Sequence, residues 1–534
     1  MLRSLTLAGH DGRLAAAPPA PPTARAGRAS SRSVHLARRP TATARRHPLV
    51  AAAAASSSSS SSAASAAAQL PRLAALDRPQ SRVIAAARAQ PLQRLSWRVG
   101  PDACALEVWY RPPAAPLSSS LSAAADAADA MTTTPPTTPR PPVLLVHGLF
   151  RAAWSWEEAF LPALSASGRA AYAVSLRGQG ASELSGCGGG GGNAQEGAAG
   201  AGAGTDVAAA VQEAGGVPMD VIMADLEAIV ARVAEHHAEE VARARRWEAG
   251  GAAAAAAPAP ASAPPPLPAP VLVGHSLGGM FVQEYLARLE RAASSSSSQQ
   301  EKEQQQEQQQ PSSSSSSTPT TTPPPPPISG AALLASATAG TVMDFARFAS
   351  DVGLPEFLWQ MWIVATGQHL RDLSVARYCW WPDEQPQGEG GGGGEAGGEG
   401  RSQAAAAANE GVSADEARRW HALITSSSRA CPYVRGEVAR WNPPPRQQQQ
   451  EAASSPSSSP FPPVLALGGA RDRIIRPWQV AAARAHWGAD VAVLPGLTHD
   501  VMLGPGVDRA FETLVAWLEQ RVEQKRERVA ARAP

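Results

Sequence analysis

Lysine is almost missing from this chain. Of its 534 residues only Lys302 and Lys525 are lysine, although Lys and Arg together number 47. Arginine therefore carries nearly all the positive charge, and Ala, Gly and Pro run high beside it. A drift toward GC-rich codons explains both, so the poly-Ala tracts are weak evidence for helices despite the helix propensity of Ala. Net charge is scarce as well, at +1. No whole-chain field exists to recruit nucleic acid or acidic partners. Cysteine is limited to Cys104, Cys187, Cys379 and Cys431. They are scattered, with no C-x-x-C and no Cys/His cluster, so they read as free thiols, and no metal or cofactor site is implied. No apolar run approaches the roughly 20 residues of a membrane span. Acids are nearly missing from the first 68 residues, where Asp11 is the single acid beside nine arginines. Arg-rich, Ser-rich and acid-poor is the composition of an organelle transit peptide. Residues 1–68 are expected to be one, directed to the chloroplast, with the mitochondrion as the alternative because the two signals overlap.

Sequence complexity is also low over long stretches. Runs such as Ser56–Ser62, Gly188–Gly192, Ala252–Ala257, Ser312–Ser317, Pro323–Pro327 and Gln447–Gln450 cannot bury enough apolar surface to offset their ordering entropy. Read as disordered inserts, they leave one large domain. The expected organisation is a linker at 69–94 and a first core part at 95–340, with inserts near 114–140, 186–216, 249–268 and 293–327. A helical cap at 341–442 carries an insert near 385–410. A further insert at 443–460, a second core part at 461–525 and a tail at 526–534 follow.

Within that core, Leu95–Val99 and Leu106–Tyr110 flank Gly100-Pro101-Asp102 and predict a hairpin. Val143-Leu144-Leu145-Val146 is a continuous apolar run suited to a strand buried on both faces. Trp154–Leu164 predicts a helix, Tyr172–Leu176 a strand, and Val221–Val233 an amphipathic helix capped by Asp220. Strands are expected at Val271–Val273, Ile328–Ala335, Val464–Leu467 and Val491–Leu494, with a closing helix over Phe511–Leu518. Strands alternating with helices argue for an α/β fold with a mostly parallel sheet. Between Ala339 and Trp441 the alternation stops. Phe345, Phe348, Phe357, Trp359, Trp362, Tyr378, Trp380, Trp381, Trp420 and Trp441 mark a helical, aromatic cap, with half of these rings expected in its core and half facing a pocket.

The most informative stretch is Gly274-His275-Ser276-Leu277-Gly278-Gly279 after Pro270–Val273. A G-x-S-x-G between strand and helix is a nucleophile elbow, with glycines where the turn leaves no room for side chains. A serine hydroxyl needs a base, an acid to orient that base, and donors for an oxyanion. His499, after the last strand, is the candidate base. Asp472, in the turn after Val464–Leu467, is the candidate acid, and Asp344, after the preceding strand, is the alternative. The backbone N–H groups of Leu149 and Leu277 are the candidate oxyanion hole. His147 and Gly148 would support it, and Gly274 and Gly278 would support the elbow. Asp500 adjoins His499, but adjacent side chains diverge, so it is a poor orienter.

The ordered set of Val143–Gly148, Ala170–Ser182, Val271–Gly279, Asp472 and His499 resembles the α/β-hydrolase fold superfamily, in particular serine esterases and lipases of the AB hydrolase-1 type. The resemblance covers about Leu95 to Gln520 once inserts are skipped. It implies an α/β-hydrolase fold with a central sheet, flanking helices and a cap. It also implies a serine hydrolase that cleaves a carboxylic ester of a hydrophobic small molecule or lipid through an acyl-enzyme. Serine at 276 argues against the dehalogenase and epoxide hydrolase branches, which carry a nucleophilic Asp there. The alternatives are a triad-retaining small-molecule receptor, or a thioester, amide or C–C hydrolase.

Overall fold

The computed structural model describes residues 88, 91–100, 102–114, 139–184, 217–248, 267–309, 324–339, 341, 344–366, 368–381, 412–427, 441 and 461–530. Residues 1–68, and with them the transit-peptide expectation, lie outside the described residues. So do the expected inserts at 186–216, 385–410 and 443–460.

Eight strands form one sheet: β1 (Gln93–Val99), β2 (Cys104–Arg111), β3 (Val143–Val146), β4 (Ala171–Val174), β5 (Val271–His275), β6 (Gly330–Leu334), β7 (Val464–Gly469) and β8 (Asp490–Leu494), in the order β1-β2-β4-β3-β5-β6-β7-β8. The hairpin β1–β2 is antiparallel and joins β4 antiparallel; every other pair is parallel. This is the α/β-hydrolase architecture that the sequence resembles.

The apolar runs explain the sheet's central position. Side chains alternate across a strand. On one face Val143, Leu145, Val271, Val273, Ala332, Leu334, Leu465 and Leu467 share a core with the closing helix Val507–Trp517. On the other, Leu144, Val146, Leu272, Ala331, Leu333, Val464 and Ala466 pack on the helices Met219–Glu248 and Leu277–Gln309. A strand buried on both faces has no polar alternation, which is why these runs are continuous.

Several local expectations need correction. The segment expected as one helix at Trp154–Leu164 is a 3-10 turn at Ala153–Trp156 followed by a helix at Phe160–Ala166. Pro162 is the reason: it has no N–H, and its ring excludes the carbonyl four residues back, so it is tolerated only in a first turn. Asp220 does not cap its helix. It lies inside the first turn of Met219–Glu248, where it pairs with Arg288, while the Pro218 carbonyl accepts from Val221 and Ile222. The elbow helix runs past the insert boundary expected near 293, to Gln309; Glu and Gln are good helix formers and extend it. The chain end is helical to Ala530, beyond the expected closing helix, through a wide π-helical stretch at Leu518–Glu523.

The cap lies between β6 and β7 as helices Phe345–Val352, Leu354–Thr366, Gln368–Arg371, Leu373–Trp380 and Ala414–Ser427. Trp380, Trp381 and Trp420 are buried, and their rings follow one another at 5.7 and 5.2 Å. Trp359 and Trp362 stack at 5.0 Å and stay half-buried. Trp441, expected in the cap, instead joins the core on the elbow-helix face and donates to Glu284 Oε2 at 3.1 Å.

Candidate active site

Strand β5 ends at His275 and the elbow helix begins at Leu277, which leaves Ser276 alone in the turn. Its φ is +50°, in the left-handed region. For a non-glycine residue this costs on the order of 1–3 kcal/mol and must be held by its surroundings. Its N–H donates to the Leu334 carbonyl at 2.9 Å. Its own carbonyl accepts from the Gly279 N–H at 3.0 Å and the Ser336 hydroxyl at 2.9 Å. The glycines are demanded by backbone proximity. A Cβ at Gly274 would overlap the Gly278 carbonyl, and one at Gly278 would overlap the carbonyls of Val146 and His147.

Strand β3 delivers His147 and Gly148 to the same place. The Leu176 N–H donates to His147 Nε2 at 2.9 Å, so Nδ1 carries the proton and donates to the Gly148 carbonyl at 2.7 Å. Burial lowers the His147 pKa to about 4, which keeps the ring neutral. A Cβ at Gly148 would lie 2.7 Å from His275 Nδ1 and 3.0 Å from Ser276 Cβ. The oxyanion-loop candidate Leu149, the next residue, thus sits beside the elbow. Leu277 opens the elbow helix, so its N–H has no acceptor within that helix.

The acid and base arrive from β7 and β8. A Cβ at Gly469 would strike the Leu497 backbone, and Arg471 N–H donates to the Leu497 carbonyl at 2.9 Å, so the two loops are pressed together. Asp472 is fully buried. Its Oδ1 accepts from the N–H groups of Ile474 and Ile475, both at 2.8 Å, and its Oδ2 lies 2.9 Å from His499 Nδ1. His499 Nε2 lies 3.1 Å from Ser276 Oγ. With a carboxylate at Nδ1, that nitrogen holds the proton and Nε2 offers a lone pair to the hydroxyl. The His499 carbonyl is bonded to His275 Nε2 at 3.0 Å, and burial pushes the His275 pKa well below its ordinary value.

Of the two candidate acids, only Asp472 meets the histidine. Asp344 caps the helix Phe345–Val352, accepting from the Arg347 N–H at 3.0 Å. Asp500 does not orient His499 either; it pairs with Arg151 at 2.6 Å. Neither Arg151 nor Ser336 stands out in the sequence. Their partners lie 349 and 60 residues away, and no local pattern marks them. Cys104 and Cys379 are buried free thiols, and Cys187 and Cys431 lie outside the described residues. Among the described residues no group of three or more His, Cys, Asp or Glu could hold a metal ion, and no helix is long and apolar enough to cross a membrane.

A family model described as "Alpha/beta hydrolase family" matches residues 143–516, more than half of the chain. No curated protein matches in sequence. Among solved structures, a putative aryl esterase from Burkholderia cenocepacia is similar, with 15% identity, 81% of this chain and 100% of that chain covered, and a TM-score of 0.36. The esterase RhEst1 from Rhodococcus sp. ECU1013 also aligns at 15% identity and TM-score 0.36, with 81% and 100% covered. Epoxide Hydrolase A from Mycobacterium thermoresistibile aligns at 14% identity and TM-score 0.38, with 80% and 99% covered.

Proposed function

The chain belongs to the alpha/beta hydrolase family, and from that premise we propose that it is a serine hydrolase that cleaves a carboxylic ester of a hydrophobic small molecule or lipid. The observation that carries this reading is His499, whose two ring nitrogens lie 3.1 Å from Ser276 Oγ and 2.9 Å from Asp472 Oδ2.

The chemistry follows from that bridge. Ser276 Oγ attacks the ester carbonyl carbon as its proton passes to His499 Nε2. The N–H groups of Leu149 and Leu277 hold the oxyanion. The C–O bond to the alcohol breaks, and His499 gives that oxygen its proton, leaving an acyl group on Ser276. Water then attacks the acyl carbon, losing a proton to His499, and the acid departs as Ser276 regains its hydrogen. Asp472 keeps the imidazole in the productive tautomer and stabilises its positive form. The buried Asp472 is itself held by two N–H donors, so its carboxylate needs no water. Each oxyanion donor is worth roughly a hundred- to a thousandfold in turnover. His147 holds the oxyanion loop rather than taking part in proton transfer. The half-buried Trp359–Trp362 stack in the cap supports a hydrophobic acyl or alcohol group.

A fluorophosphonate probe tests the reading, because it phosphonylates only an activated serine. The wild type should label at Ser276 and turn over p-nitrophenyl esters repeatedly, and Ser276→Ala should do neither. A wild type that does not label, or a Ser276→Ala variant that labels equally, would sink it. We also propose that residues 1–68 direct the protein to the chloroplast. Their fusion to a fluorescent reporter should give plastid fluorescence, and a diffuse cytosolic signal would refute that.

A further inference from the structure

Arg151 and Asp500 are both charged and both almost completely inaccessible, with side-chain exposures of 1% and 0%. Arg151 lies three residues beyond Gly148 on the oxyanion loop, and its N–H donates to the Gly148 carbonyl at 3.3 Å. Asp500 follows His499, and its carbonyl accepts from the Leu503 N–H at 2.9 Å. Arg151 Nη2 donates to Asp500 Oδ2 at 2.6 Å, while the guanidinium carbon stands 4.3 Å above the ring of Trp380 in the cap. Three elements therefore meet at one guanidinium: the loop that would hold the oxyanion, the loop that holds the base, and the cap.

Burying such a pair is costly. The desolvation of two charges commonly exceeds their mutual attraction, and apolar replacements of similar volume are often neutral or stabilising. The cost is aggravated here because Arg151 Nε and Nη1 and Asp500 Oδ1 have no hydrogen-bond partner among the described residues. A chain that needed only a filled core would do as well with aliphatic residues. What the ion pair adds is direction. A charge-assisted hydrogen bond fixes distance and angle between two loops that no strand ladder connects, since β3 and β8 are separated in the sheet by β5, β6 and β7.

The geometry points to Arg151 and Asp500 as positioning residues that hold the oxyanion loop in register with the base loop, with Trp380 seating the cap on the same clamp. This rests on the serine hydrolase reading. Neither side chain touches the reacting atoms; Arg151 acts on Leu149 through the turn closed by its N–H on the Gly148 carbonyl, and Asp500 acts on the adjacent His499. Displacing a catalytic group by about 1 Å can cost on the order of a hundredfold in rate. The loss should fall on kcat, since ester binding under the cap does not need the two loops in register.

The test uses Arg151→Lys, Arg151→Met, Asp500→Asn and the double variant Arg151→Met with Asp500→Leu in the full chain. Rates on p-nitrophenyl butyrate are expressed per serine titrated with a fluorophosphonate, beside a thermal melt. Expected is a kcat loss of roughly ten- to a hundredfold in Arg151→Met and Asp500→Asn, with KM within about threefold of wild type. Arg151→Lys should recover part of that loss. The double variant should melt within a few degrees of wild type and still turn over slowly. The idea is overturned if the double variant regains wild-type kcat, if the loss lies in KM, or if no variant folds, since the pair would then serve the fold alone. A wild type without a titratable serine would instead overturn the hydrolase reading itself.

Discussion

The elbow and the cap both pack against the loop after β3 and are built by opposite means. At the elbow, backbone lies against backbone. Gly274, Gly278 and Gly148 bring carbonyls, the Ser276 turn and the His147 loop so close that a single added carbon has nowhere to go. In the cap, side chain lies on side chain, with Trp380, Trp381 and Trp420 in sequence and Trp359 stacked on Trp362. Backbone contacts fix positions to fractions of an ångström and tolerate almost no substitution. Ring contacts bury area and can rearrange, because a tilted pair has many near-equal geometries. The part that needs exact atomic placement is built from glycine, and the part that would select a substrate is built from tryptophan.

The contrast is testable, and the largest effect should come from the rigid side. Asp472→Asn should lower kcat by roughly a thousand- to ten-thousandfold, because the imidazole loses its orienting partner. Asp344→Asn should leave kcat within about twofold, since Asn caps a helix nearly as well as Asp. Steady-state rates on one p-nitrophenyl ester decide it, and equal losses would erase the distinction between the two acids. Gly148→Ala comes next. Its new methyl would press on His275, whose other nitrogen holds the His499 carbonyl. A kcat loss of about a hundredfold with a preserved circular dichroism spectrum is expected; an active alanine variant would show that the elbow yields more than its contacts imply.

Acid should weaken both sides together. Burial lowers His147, on the loop beside the elbow, and His369, in the cap, to about 4 from the ordinary 6.5. The unfolded chain binds the proton more readily, so the stability these neutral rings contribute is intact above 6.5 and erodes as pH falls toward 4. At pH 5 the loss for His147 alone is about 2 kcal/mol. Urea midpoints at pH 7.5 and pH 5 should differ accordingly. His369→Phe should shrink the difference without abolishing it, and identical midpoints in the wild type would contradict the neutral-ring account. The smallest effect belongs to the cap surface. Trp359→Ala should lower kcat/KM about tenfold on a long-chain ester while sparing the acetate, the scale of one lost aromatic contact. Equal effects on both esters would remove that ring from substrate selection.

The same contrast explains what the sequence makes legible. Glycines forced by backbone proximity and strands buried on both faces leave local signatures, so Gly274, Gly278, Ser276 and the run Val143–Val146 could be read directly. His499 and Asp472 followed from their places after strands, with Asp344, after the preceding strand, as the alternative acid. Only the packing of the β7 and β8 loops separates the two acids. Side-chain partnerships across hundreds of residues leave no such trace. Arg151 with Asp500 and Trp441 with Glu284 were therefore invisible. The break at Glu157–Ala159 was readable in principle, since Pro162 cannot sit inside a helix that begins at Trp154.

The parallel strands also give the molecule a polarity. Ser276, His147, Asp472 and His499 follow the ends of β5, β3, β7 and β8. The strand starts lie at the opposite rim of the sheet from this chemistry. For anyone attaching a reporter, a tether or a surface anchor, the starts of β3, β5, β6 and β7 are the places where new sequence meets the core farthest along each strand from the serine.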